Sequence, residues 1–115
     1  MARTTVSDTG VDIVFGPWER RGGFLKDQHI AWSSITEVGA VDDLAEIRIG
    51  WRAPGYGGWR RRIGWYRRRG VVRLVCAERG RPAWHASVTG HRFHEVVVGD
   101  DDAASIAASI ATHLS

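Results

Sequence analysis

Residues 91–114, HRFHEVVVGDDDAASIAASIATHL, change their hydrophobic period in the middle. The segment from His91 to Val98 ends in the run Val96-Val97-Val98, whose β-branched side chains suit a strand. From Ala103 the apolar positions Ile106, Ile110 and Leu114 recur every four residues, with Ala103 and Ala107 on the same flank. That spacing predicts an amphipathic helix of about three turns. Asp100, Asp101 and Asp102 stand between the two patterns and supply an N-cap and negative charge where a helix presents unpaired N–H groups. Only one helix in the chain is this clear, and it comes last.

Everything upstream reads as strands and turns. Val71 to Cys76 is an almost continuous apolar run, so it belongs in the middle of a sheet where neither face meets water. Ala77-Glu78-Arg79-Gly80 turns the chain, Ala83 to Val88 pairs back, and Thr89-Gly90 turns again. Nearer the N-terminus, Thr4 to Val6, the turn Ser7-Asp8-Thr9-Gly10 and Val11 to Phe15 predict a hairpin with Val11, Ile13 and Phe15 on one face. Gly16-Pro17 breaks that strand, Arg20-Arg21-Gly22-Gly23 makes a second turn, and Phe24 to Ile30 returns. Trp32 to Ile35 fits a single helical turn, and Thr36 to Val41 is extended. Glu46 to Trp51 alternates, with Ile47, Ile49 and Trp51 on the inner side. Hairpin following hairpin predicts an α+β, mainly β, domain: an antiparallel sheet of about seven strands that curls or closes, capped by the terminal helix.

With 115 residues, 43% hydrophobic and 25% charged, the chain has the balance of one folded domain, residues 1–115, and not that of a disordered segment. A single cysteine, Cys76, excludes an internal disulfide and any Cys-x-x-Cys metal or redox site. MARTTVSDTG has no apolar core of a signal peptide, and no window approaches the roughly 20 apolar residues of a membrane span, so the expected location is the cytoplasm, possible attachment to the inner membrane face included.

The net charge of +3 conceals a strong asymmetry. Gly50 to Arg73 carries Arg52, Arg60, Arg61, Arg62, Arg67, Arg68, Arg69 and Arg73 without a carboxylate, interleaved with Trp51, Tyr56, Trp59, Trp65 and Tyr66. Of sixteen basic residues only Lys26 is a lysine. Arginine suits planar, bidentate contacts to phosphate or carboxylate, and a GC-rich coding sequence produces the same bias. Arg60, Arg61, Arg62, Arg67, Arg68 and Arg69 with Trp59 and Trp65 are therefore the candidate binding residues. Two uses compete. The arginines engage phosphates while the aromatics enter a membrane interface or stack on bases, or the tryptophans pack on the barrel beneath arginine stems. Trp, Tyr and Arg are also enriched in protein interfaces, which brings in a protein partner or a homo-oligomer.

Other constellations are weaker. His85, His91 and His94 are close in sequence, but alternation puts His91 and His94 on opposite faces, so no metal site is expected. Cys76 sits in an apolar run, which marks a core thiol and not a nucleophile. No paired acid and base stand out, so no catalysis and no cofactor are expected.

Short motifs resemble those of the small pleckstrin-homology-like (PH-like) domains of actinobacterial proteins. They are the Asp8-Thr9-Gly10 hairpin, the Ile30 to Val38 stretch, the Gly57-Gly58-Trp59-Arg60 and Gly64-Trp65-Tyr66-Arg67 loop, and Gly90 to Val98 followed by Asp102-Ala103. The resemblance implies a PH-like antiparallel barrel plugged at one end by its C-terminal helix. It also implies a non-enzymatic interaction module whose partner is a protein, an anionic lipid or, as a further alternative, a nucleic acid. The arginine content of the loop exceeds that pattern, and the transmembrane helices of many such proteins have no counterpart in this sequence.

Overall fold

A computed structural model describes residues 2–17, 26–44, 51–56 and 61–114, with side chains for all of these except 51–56, 61, 62 and 68. The expected turn at Arg20 to Gly23, the alternation from Glu46 to Gly50, and Trp59 and Arg60 lie outside the described residues.

Nine strands, one turn of 3-10 helix and one α-helix follow in order among the described residues. The N-terminal hairpin forms as its turn residues dictate: β1 (Arg3–Val6) pairs antiparallel with β2 (Gly10–Val14), which pairs with β3 (Gln28–Ala31) to make a three-stranded sheet. Gly10 lies where strand β3 comes closest, and a Cβ there would stand 2.1 Å from the Ile30 carbonyl oxygen, so only glycine fits. Trp32–Ser34 forms the expected helical turn.

The second sheet has six strands in the order β4 (Ile35–Val41), β8 (Ala83–Val88), β9 (Glu95–Gly99), β7 (Val71–Glu78), β6 (Arg61–Arg68) and β5 (Trp51–Tyr56). This corrects the expectation of consecutive hairpins. β7 and β8 are joined by a short loop yet do not pair; β9 lies between them, antiparallel to β8 and parallel to β7. The reason is burial. Val96, Val97 and Val98 are all inaccessible to solvent, and Val97 faces away from the side shared by Val96 and Val98, so this strand needs cover on both faces and a neighbour on both edges. Among the described residues the two sheets do not join into a closed barrel.

The fold is thus mainly β with one C-terminal helix, α1 (Ala103–Leu114). Ala103, Ala107 and Ile110 are buried and Ile106 and Leu114 are partly buried against the same core, the face that the four-residue spacing predicts. The helix packs on β4, β8 and β1. Val11, Ile13 and Ile30 from the small sheet, Leu74, Trp84, Ala86, Val96 and Val98 from the large one, and the helix residues form one core. Tyr66, Val75, Ala77, Ala83, Val97 and Leu44 make a smaller cluster on the other face of the large sheet.

Candidate binding surface

The arginine-rich segment is built of strands. β5 and β6 form an antiparallel arm, and β6 continues into the sheet by pairing along its full length with β7. Arg61 lies opposite Glu78 and Arg62 opposite Ala77, whereas Arg67 lies opposite Val72 and Arg68 opposite Val71. Arg61 and Arg67 are six positions apart along the strand, about 20 Å at roughly 3.3 Å per residue. Arg61 and Arg62 therefore sit at the opposite end of β6 from Arg67 and Arg68.

Arg69 and Gly70 both have positive φ, 51° and 79°, between the paired residues Arg68 and Val71. That is a two-residue type I′ hairpin turn, and it projects Arg69 into solvent. Arg67 is also exposed. The loop before β9 is fixed beside this turn by three bonds through His94. Its N–H donates to the Val72 carbonyl at 2.8 Å, its carbonyl accepts from Val88 N–H at 2.8 Å, and its ring Nδ1 accepts from Val72 N–H at 3.0 Å. Arg92 is held there with its guanidinium 5.5 Å from the centre of the Trp65 ring.

Trp65 is half-buried and leans on the buried Phe93, with ring centres 5.9 Å apart. Phe93 and Arg92 occupy part of its surroundings, the arrangement that the packing use calls for. Arg92 lies outside the segment that the sequence singles out, and nothing local marks it. Only the pinning of residues 91–94 to the start of β7 places it with Arg67 and Arg69.

Arg73, one of the eight arginines of the block, is withdrawn from solvent. Its Nε lies 3.3 Å from Glu95 Oε1, with the two side chains 16% and 19% exposed. Nε and Nη1 are buried without a hydrogen-bond partner, so the pair is held by charge and not by directed bonds.

The three histidines are apart in role. His85 lies across from Gly39, His91 packs on Phe93, and His94 bonds to Val72. Among the described residues no group of three His, Cys, Asp or Glu side chains gathers as metal ligands would. Cys76 is buried in β7. The aspartates serve the helix start: Asp100 Oδ1 accepts from Asp102 N–H at 2.9 Å and the Asp100 carbonyl from Ala103 N–H at 3.0 Å. Beside them a cavity of about 60 Å³, lined by Glu78, Arg81, Gly99, Asp100 and Asp101, has room for a few water molecules. Arg81 spans it, 3.7 Å from Glu78 and 3.6 Å from Asp101.

Comparison with known proteins supplies no relative. No family profile matches the chain, and no curated protein and no solved structure shows significant similarity to it. Among the described residues no helix is long and apolar enough to cross a membrane.

Proposed function

We propose that this chain is a non-enzymatic, PH-like interaction module that acts in the cytoplasm and binds an anionic partner through the β6–β7 end of its large sheet. The fold resemblance is supported by the two sheets and the closing helix on a shared core. The parallel β7–β9 pair and the open strand order are departures from an all-antiparallel barrel.

One observation carries the functional reading. Arg67, Arg69 and Arg92 are exposed at one end of the sheet, and Arg92 is held against an aromatic ring that the core itself positions. Cations kept apart from carboxylates repel one another and are stabilised by an anionic partner. Heparin tests this, being a soluble polyanion with neither bases nor a bilayer. The wild-type protein is expected to be retained on immobilised heparin at low salt, and Arg67→Glu/Arg69→Glu/Arg92→Glu to elute much earlier. Equal elution of the two would refute the reading.

A further inference from the structure

We infer that the anion recognised by this cationic end is the phosphate backbone of duplex nucleic acid. The inference rests on the preceding reading and specifies its partner. It follows from what the site has and from what its neighbours have been used for.

What it has is exposed guanidinium groups on a rigid frame. Arg67 sits on a strand paired along its length, Arg69 in a two-residue turn, and Arg92 on a loop bonded to β7 and β8. Guanidinium is the side chain whose planar fork matches phosphate oxygens. Three such groups are few, so the target must be dense in charge. Pairs with scattered surface carboxylates contribute about 0–1 kcal/mol each. A duplex, with one charge per roughly 1.7 Å, adds the entropy of released counterions.

What its neighbours have been used for narrows the choice further. Reading unstacked bases needs a free aromatic face, and Trp65 is engaged by Phe93 and Arg92. Entering a bilayer needs exposed apolar side chains. Among the described residues the large apolar side chain that is exposed is Val14, on β2 of the other sheet. The side chains described at this end offer guanidinium groups, which suit sequence-independent binding to a phosphate backbone.

The test is a fluorescence polarisation titration of the full chain against fluorescein-labelled duplexes of about 20 base pairs and two unrelated sequences. Three phosphate contacts give a log-log salt slope of about −2.7, so affinity should fall roughly forty-fold between 50 and 200 mM salt, alike for both sequences. Arg67→Gln/Arg69→Gln removes two contacts and should bring the slope to about −0.9. Arg61→Gln/Arg62→Gln, at the far end of the strand, should leave it unchanged. Thermal melts of each variant establish that it is folded. The inference is overturned by a flat slope, by equal slopes for the wild type and Arg67→Gln/Arg69→Gln, by tenfold preference for the single strand, or by binding to phosphatidylglycerol vesicles without binding to duplex. If heparin retention through these arginines holds while duplex binding fails, the inference falls and the interaction module stands; if heparin retention also fails, both fall.

Discussion

Trp84 ties the two sheets together. It is fully buried on the inner face of β8, and its indole N–H donates to Thr4 Oγ1 at 3.1 Å, joining the large sheet to β1 of the small one. Thr4→Val keeps the shape and leaves a buried donor unpaired, so it should cost about 1–3 kcal/mol in urea unfolding. Trp84→Ala should cost about 3–5 kcal/mol in the same experiment. Arg73 makes a second residue-scale prediction. Glu95→Gln leaves a largely buried guanidinium without its countercharge and should destabilise by about 3 kcal/mol, whereas the apolar double replacement Arg73→Met/Glu95→Leu should recover most of the loss. A double variant no more stable than Glu95→Gln would show that the charge is not the cause. Neither residue announces itself in the sequence. Trp84 shares an apolar side with Ala86 and Val88, but its bond to Thr4 spans two sheets, and the Arg73–Glu95 pair requires knowing that β9 lies beside β7.

Individual elements were easier to read than their neighbours in space. The helix was legible because its buried face repeats every four residues, and the N-terminal hairpin because β-branched residues flank a glycine-ended turn. The arginine-rich segment was legible only as a composition. Its charges obscure a strand pattern in which Ile63 and Trp65 face the core and Tyr66 the opposite side, so nothing in the composition shows that Arg61 and Arg62 sit at the opposite end of β6 from Arg67 and Arg68. The turn joining β6 to β7 offers a test at this scale. Type I′ geometry favours Asn at the position of Arg69, so Arg69→Asn should raise the urea midpoint while removing one exposed charge. For α1, Ile110→Ala should cost about 2–5 kcal/mol by thermal or urea unfolding, because Ile110 has no solvent exposure.

At the scale of the whole molecule, the two sheets share a core with α1, and the charges divide along the strands of the larger sheet. One end carries Arg67, Arg69 and Arg92; the other brings Arg61 and Arg62 to the strand end beside Glu78, which with Asp100 and Asp101 surrounds Arg81, Asp100 also bonding at the start of the helix. Sequence gave no means of seeing the strand order, since the connection from β8 to β9 is short whether β9 lies outside β8 or fills the gap beside β7. That gap has a consequence for a shortened chain. In a chain that lacks β9 the slot between β7 and β8 is empty, and both of its flanks display unpaired backbone amides and carbonyls. The sheet stays divided without that strand, so a chain ended at Gly90 should be protease-sensitive and aggregation-prone, whereas residues 1–115 should be resistant.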